Sequence, residues 1–279
     1  MSPSKYLVLI LFAGNAIAAG DGFLIGAGVE SDSEDGIRGS FIGGIGVSED
    51  TWLSVGLSKS SVELPIRRDI NTVYADVELD HFFDPVGIRI GVSYWGDSDV
   101  LDSNDWRVSL YWRGEKVTLS GIYEFRDFDF TVPSLDLAAS REFMFDADGL
   151  GASARFELSD NVSLTLGGKA YDYSVDFVPL ENRDVLSLIS VSRLSLINSL
   201  IDSRANLGLA IDSGLKRWEL EFSTWKGEVD KARTNSLTVR FLMPVGGKAD
   251  IEFGLGYDDS DIYVDVTFLS LFLYFYGGN

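Results

Sequence analysis

The feature that most constrains this sequence is a regular alternation of apolar and polar side chains along short segments. Residues 73–80 are the clearest case, because Val, Ala, Val and Leu alternate there with Tyr, Asp, Glu and Asp. Successive side chains of a β-strand point to opposite faces of a sheet, so this segment predicts a strand with one apolar and one charged face. The segments 248–257 and 261–276 begin with the same alternation, and the second becomes apolar on both faces and ends in aromatic residues.

Segments of this kind recur along the chain, and their number predicts about fourteen strands. Twelve is the alternative, if two of the weaker segments are loops. Each segment is close to the ~10 residues that a tilted strand needs to cross a bilayer. An apolar face on the outside and a charged face on the inside suits a closed sheet that is surrounded by lipid.

The stretches between these segments alternate in length. The predicted short connections are 48–50, 84–86, 114–115, 159–161, 213–215 and 244–247. The predicted long connections are 31–36, 60–71, 96–105, 128–148, 178–203 and 228–234. Short turns at one end and longer loops at the other are typical of outer-membrane barrels.

Two further patterns concern aromatic residues. The apolar phase of the predicted ninth strand changes at Gly167 and Gly168, which predicts a β-bulge there and leaves Tyr171 and Tyr173 on the apolar face. Aromatic residues near strand ends are predicted to form girdles at the membrane interfaces, as in transmembrane barrels. The predicted girdle residues are Trp52, Trp106, Trp112, Tyr171, Tyr173, Trp218, Tyr257, Tyr274 and Tyr276. A soluble β-sandwich also alternates, but its charged faces would not explain this clustering.

The start of the chain has the pattern of a cleaved secretory leader. Lys5 supplies a positive charge, residues 6–13 are apolar, and residues 16–18 are a small-residue cleavage site. The apolar run is shorter than the ~20 residues that a membrane-spanning helix needs. We therefore expect residues 1–18 to be a signal peptide and residues 19–279 to be one barrel domain in the cell outer membrane.

The composition of the chain argues against several other classes of protein. The chain has no cysteine, which excludes a disulfide scaffold and a thiolate metal site. Its formal net charge of −20 at pH 7 argues against nucleic acid as a partner.

With its leader, alternating strands and aromatic final segment 261–276, the chain resembles bacterial outer-membrane β-barrel proteins of the monomeric porin type. The resemblance implies an all-β fold, a transmembrane antiparallel up-and-down β-barrel. It also implies outer-membrane lipid, lipopolysaccharide and the barrel assembly machinery as partners. The final segment departs from the usual aromatic terminus, because residues 277–279 are Gly-Gly-Asn.

The charged faces supply the candidate functional residues, which carry opposite signs on many adjacent strands. The predicted pore-lining residues are Arg38, Asp76, Glu78, Asp80, Arg89, Arg107, Arg113, Glu124, Arg126, Arg155, Arg204, Glu219, Glu221, Arg240, Asp250 and Glu252. Such residues either pair across strands and stabilise the wall, or line a water-filled pore. About fourteen strands enclose more space than the eight that side chains can fill.

These observations predict a channel for passive diffusion of small hydrophilic solutes. Acidic residues in excess at its mouths predict a weak preference for cations. The alternative is a closed barrel with a structural, binding or adhesion role.

Residues 184–201, in the longest predicted connection, have apolar residues near helical spacing. They predict a helix in or over the mouth, where Arg193 would form a constriction. An extended hairpin arm and a loop packed outside the barrel are the alternatives.

We predict no catalytic residue, metal ion or other cofactor. The only histidine, His81, falls on the apolar phase of the fourth strand. The sequence has no Gly-x-Ser-x-Gly elbow, no histidine cluster with metal-ligand spacing and no phosphate-binding loop. The aspartate-rich segments 31–35 and 96–105 lack the spacing of a calcium loop. We therefore expect that the protein is not an enzyme.

Overall fold

The computed structural model describes residues 22–63, 69–97, 101–132, 141–175, 200–229 and 231–278, which form fourteen β-strands. The strands are β1 (Phe23–Asp32), β2 (Ile37–Ser48), β3 (Thr51–Glu63), β4 (Asp69–Phe82), β5 (Val86–Asp97), β6 (Leu101–Arg113), β7 (Val117–Val132), β8 (Arg141–Ser159), β9 (Val162–Tyr173), β10 (Ile201–Ser213), β11 (Lys216–Gly227), β12 (Arg233–Pro244), β13 (Ala249–Ser260) and β14 (Val266–Gly277).

Each strand pairs antiparallel with its neighbours in the chain, and β1 pairs with β14, so the sheet closes into a barrel. The predicted all-β up-and-down barrel is confirmed, with fourteen strands rather than twelve. Six connections of two to four residues lie at one end, which we call the short-turn end. The opposite end, where the other seven connections lie, is the long-loop end. No helix in the described ranges is long and apolar enough to cross a membrane.

The outer surface of the barrel is apolar and its inner wall is polar. Leu110 and Leu220 are 58% and 43% exposed on the outer surface, whereas the Glu78 and Glu124 side chains are 2% exposed. This is the reverse of a soluble sheet protein, in which large apolar side chains are buried and unpaired carboxylates are exposed. The face assignments predicted from the alternation agree with this arrangement through most strands.

Three of the predicted long connections are wrong, because most of their residues belong to strands. Residues 60–71 include the end of β3 and the start of β4, which leaves only 64–68 between them. Residues 96–105 are occupied by the end of β5 and the start of β6, which leaves only 98–100 between them. Residues 128–148 are occupied by the end of β7 and the start of β8, which leaves only 133–140 between them. The final predicted segment also differs, because β14 begins at Val266 rather than at residue 261.

The missed parts of β6, β7 and β8 reverse the polarity of the rest of the barrel. On the outer face of β7, Phe125 is followed towards the long-loop end by Asp127 and Asp129. On the inner face, Arg126 is followed by buried Phe128. In β6 and β8 the register places Asn104 and Asp146 beside Asp127, at the same level. A wall with acids outside and aromatic residues inside is suited to water on its outer face. On β6, β7 and β8, the apolar band that suits lipid therefore ends on the short-turn side of Asp127.

The predicted bulge at Gly167 and Gly168 is also wrong. The pairing of β9 with β8 and with β10 is continuous through both glycines. Tyr171 and Tyr173 therefore stay in phase with Lys169 and point inward. Their hydroxyl groups donate hydrogen bonds to Glu124 Oε1 at 3.0 Å and to the carbonyl oxygen of Ile201 at 3.0 Å.

The predicted aromatic girdle is confirmed only in part. Trp106, Trp112, Trp218 and Tyr257 are exposed on the outer surface. The remaining five predicted girdle residues, Trp52, Tyr171, Tyr173, Tyr274 and Tyr276, lie on the inner face. Glycines on neighbouring strands leave room for several of these rings, so the rings lie along the wall.

Phe268 and Gly256 show how closely an inner ring follows the wall. A Cβ atom built on Gly256 would lie 2.0 Å from Cζ of Phe268, whose side chain is 2% exposed. We expect Gly256→Ala to lower the free energy of unfolding by about 1–3 kcal/mol, because the buried ring has to leave its position. Gly121→Ala is the matched control, since a Cβ there would meet no atom within 4 Å. Denaturant unfolding in lipid vesicles measures both, and equal effects would contradict this packing.

Candidate functional site: the charged inner wall

The first inner network joins β4, β5 and β6. Arg107 contacts two carboxylates at once, with Nη2 2.7 Å from Asp76 Oδ2 and Nε 3.0 Å from Glu78 Oε2. Arg89 Nε lies 2.8 Å from Asp80 Oδ2, and the Tyr111 hydroxyl donates to Asp80 Oδ1 at 2.8 Å. Every charged group of this network therefore has an oppositely charged partner.

The second network joins β6, β7 and β9 and is organised around Arg126. Its Nε lies 3.3 Å from Asp105 Oδ1 and 3.7 Å from Glu124 Oε1. Glu124 is also bound by Lys169, whose Nζ is 2.6 Å from Oε2. The Arg126 guanidinium lies over the Phe128 ring, 4.8 Å from its centroid, which is within the range of a cation–π interaction.

A buried aromatic cluster continues this network towards the long-loop end. Phe128 stacks on Phe145, with ring centroids 4.7 Å apart, and Trp95 packs against Phe128 edge-on. Trp95 Nε1 donates to Asp105 Oδ2 at 3.1 Å. The aromatic cluster and the ion pairs are thus one connected structure on this side of the barrel.

The third network joins β10, β11 and β12. Arg240 Nη1 lies 3.2 Å from Glu219 Oε2, and Nη2 lies 3.0 Å from Glu221 Oε2. Arg217 Nε contacts Glu219 at 2.9 Å, and Arg204 Nη2 is 3.7 Å from Glu221. Two glutamates therefore share three arginines.

The other predicted residues lie outside these networks. Arg38 faces Glu30 at 4.0 Å, and Arg155 Nε is 2.7 Å from Glu157. Asp250 accepts a hydrogen bond from the Tyr276 hydroxyl at 3.2 Å. Arg113 is exposed at the short-turn end, with Cζ 4.8 Å from the Phe82 ring centroid. Glu252, the last of the predicted pore-lining residues, is buried. Residues 184–199, including Arg193, lie outside the described part of the chain.

Charge is distributed unevenly around the inner wall. The described inward-facing residues of β3 and β14 include no charged side chain, and those of β1 and β2 are limited to the pair Glu30 and Arg38 and to Asp32 at the long-loop end of β1. Phe272 and Tyr274 of β14 lie over Gly28 and Gly26 on this weakly charged side. The interior thus has a broad charged wall and a narrower wall of aromatic, serine and glycine residues.

The barrel is wide for its interior side chains. Fourteen strands spaced ~4.8 Å apart and tilted by ~40° close into a barrel roughly 28 Å across. Eight strands are about the number whose interior side chains can fill.

Several residues of the site were missed by the sequence interpretation. Asp105 was assigned to a loop, and Trp95, Phe128 and Phe145 were not predicted to be inside. Continuing the alternation of β6 back from Arg107 through Asp105 to Leu101 would have found the first of these. The aromatic residues gave no such signal, because an aromatic side chain suits either face of the wall.

Neither a catalytic group nor a metal site emerges from the described residues. His81 Nδ1 lies 2.7 Å from Thr51 Oγ1 on the outer face, near the short-turn end, and its ring packs edge-on against Phe83. No group of three or more His, Asp or Glu side chains in the described ranges is placed to hold a metal ion. That the protein is not an enzyme stays a prediction.

Comparison with known proteins finds similarity in structure only. No protein-family model matches the sequence. No curated protein matches it either. A TodX deletion mutant, a monoaromatic hydrocarbon channel, is 8% identical and aligns over 95% of this chain and 92% of its own, with a TM-score of 0.58. OmpT of Vibrio cholerae, an outer membrane protein, aligns as a loop L8 deletion mutant over 92% of this chain and 100% of its own, at 8% identity and a TM-score of 0.52.

The chain has the fold of an outer-membrane β-barrel. At sequence identities this low, the structural similarity shows the fold and says nothing about the solute. The architecture-level resemblance predicted from the sequence is confirmed, and the inner wall of the barrel becomes the candidate functional site.

Proposed function

We propose that this protein is an outer-membrane channel for passive diffusion of small hydrophilic solutes, with a weak preference for cations. The observation that carries the proposal is a charged inner wall in a barrel too wide for side chains to fill. An apolar outer surface such as that around Leu110 and Leu220 suits insertion into lipid. The fold of the barrel supports the same proposal.

The proposed cation preference follows from the balance of charge. The chain carries 43 acidic residues against 23 Lys and Arg residues. Outward-facing Asp127, Asp129, Asp146 and Asp148 surround part of the long-loop end. A negative potential at a mouth raises the local concentration of cations.

The proposal includes the route to the membrane. Residues 1–18 act as a signal peptide, residues 19–279 form a single monomeric domain, and the barrel assembly machinery inserts it among outer-membrane lipid and lipopolysaccharide. The mass of the protein from the outer-membrane fraction tests the cleavage position.

Planar-bilayer recording tests the channel directly. We expect the refolded protein to insert with stable conductance steps, and its reversal potential under a potassium chloride gradient to show a few-fold preference for potassium. Protein kept unfolded in the same detergent is the control. A correctly folded barrel that never conducts would overturn the channel and favour a closed barrel whose inner charges serve as an ion-pair network.

A further inference from the structure

Glu252 is an inner-wall carboxylate that the three ion-pair networks leave out. It lies on β13, directly opposite Leu242 of β12 and Phe272 of β14. Its side chain is only 8% exposed, and it makes no hydrogen bond or ion pair within the described residues. Burying an ionised carboxylate without a contacting base is costly, so a cation that binds beside Glu252 would stabilise its charged form.

The neighbouring arginines are already committed to other carboxylates. Arg240, the base that interacts electrostatically with Glu252, contacts Glu219 at 3.2 Å and Glu221 at 3.0 Å. Arg217 also pairs with Glu219. Turning Arg240 towards Glu252 would break a pair that it already makes. Within the described wall, therefore, no base is in direct contact with Glu252.

On its β14 side, Glu252 pairs in register with Phe272, which forms an aromatic pair with Tyr274. The rings of Phe272 and Tyr274 are nearly parallel, with centroids 6.0 Å apart and an interplanar angle of 8°. They lie along the wall over Gly28 and Gly26, and an apolar cluster with Ile42 surrounds them. Aromatic faces attract cations, and this attraction is stronger where water is excluded.

We propose that Glu252, Phe272 and Tyr274 form a subsite for an organic cation, an alkylammonium or quaternary ammonium group, on the inner wall. The carboxylate neutralises the charge, and the aromatic rings accept the apolar substituents around it. A bare potassium ion would use the carboxylate and gain little from the apolar cluster. The inference rests on the proposed channel, since it names a class of solute that the channel binds during passage.

Choline is a suitable probe, and its block of the potassium current at pH 8 is the measurement. We expect wild-type protein to be blocked in a saturable way and Glu252→Gln to weaken the apparent affinity for choline at least tenfold. Glu157→Gln is the matched control, because it removes an inner carboxylate that is paired with Arg155 at the short-turn end. We expect that control to retain the wild-type affinity.

Aromatic variants separate the organic cation from potassium. Phe272→Leu and Tyr274→Leu are expected to weaken choline block several-fold while leaving the potassium-to-chloride reversal potential unchanged. Equal block in wild type and Glu252→Gln would overturn the subsite. Block lost in Glu252→Gln but unaffected by either aromatic variant would overturn the organic-cation assignment.

Calorimetric titration of choline into the folded barrel in detergent keeps this test independent of conduction. Binding that is lost in Glu252→Gln supports the subsite even if the barrel never conducts, a result that would overturn only the proposed channel. A conducting barrel that binds no choline would overturn the subsite and leave the channel in place.

Discussion

Replacing Arg107 by methionine is expected to lower the free energy of unfolding by about 3–5 kcal/mol, the usual cost of removing one partner of a buried ion pair. Arg107 is the partner of both Asp76 and Glu78, whose side chains are 5% and 2% exposed. Without the guanidinium, two carboxylates stay buried close to one another. Unfolding by guanidinium chloride in lipid vesicles, followed by tryptophan fluorescence, measures the loss.

Arg155→Met serves as the matched control for Arg107→Met. Arg155 also pairs with a carboxylate, that of Glu157 on the same strand. The Glu157 side chain is 42% exposed, so water can solvate it after the change. We expect a loss of at most about 1 kcal/mol there. Adding Asp76→Asn and Glu78→Gln to Arg107→Met should restore most of the lost stability, because no buried charge is then left over. Equal losses in the two single variants would contradict the burial of the first network.

Replacing Leu220 by arginine is expected to cost about 2–4 kcal/mol, the range for a basic residue on the lipid-facing surface near the bilayer midplane. Leu220 lies near the middle of β11 on the outer surface, between Leu209 of β10 and Val239 of β12. Its side chain is 43% exposed, so the substitution does not disturb the interior. Comparison of unfolding in vesicles with unfolding in a small, water-rich detergent micelle isolates the lipid contribution.

Leu215→Arg controls for the change of side chain. Leu215 lies in the turn between β10 and β11 and is 84% exposed at the short-turn end. A change near zero to about 1 kcal/mol is expected at the membrane interface. If Leu220→Arg were equally tolerated, the outer apolar surface would not face lipid, and the proposed location in a membrane would fail with it.

The parts of the fold that the sequence predicted correctly are those in which polarity alternates strictly. β4 is the best example, because Asp76, Glu78 and Asp80 alternate with apolar side chains and their shared face needs no tertiary information. The short turns were predicted for a similar local reason. A turn of two to four residues interrupts the alternation sharply at both ends.

The interpretation failed where the environment of a strand changes along its length. β7 passes from the apolar band into a region with Asp127 and Asp129 outside and Phe128 inside, so its alternation reverses without any break in the strand. A reversed alternation resembles the end of a strand, and 128–148 was therefore interpreted as a loop. The start of β8 was missed for the same reason.

By itself, the sequence determined the fold class, limited the strand number to fourteen or twelve, and showed which charged residues face inward wherever the alternation is strict, because these follow from a period of two along each strand. Only the tertiary structure decided which side chains meet across strands, since register depends on pairing around the whole closed sheet. It placed Phe268, Phe272 and Tyr274 inside although β14 is apolar on both faces. It also placed Arg107 between two carboxylates and left Glu252 without a contacting base. No periodicity along a single strand could show either arrangement.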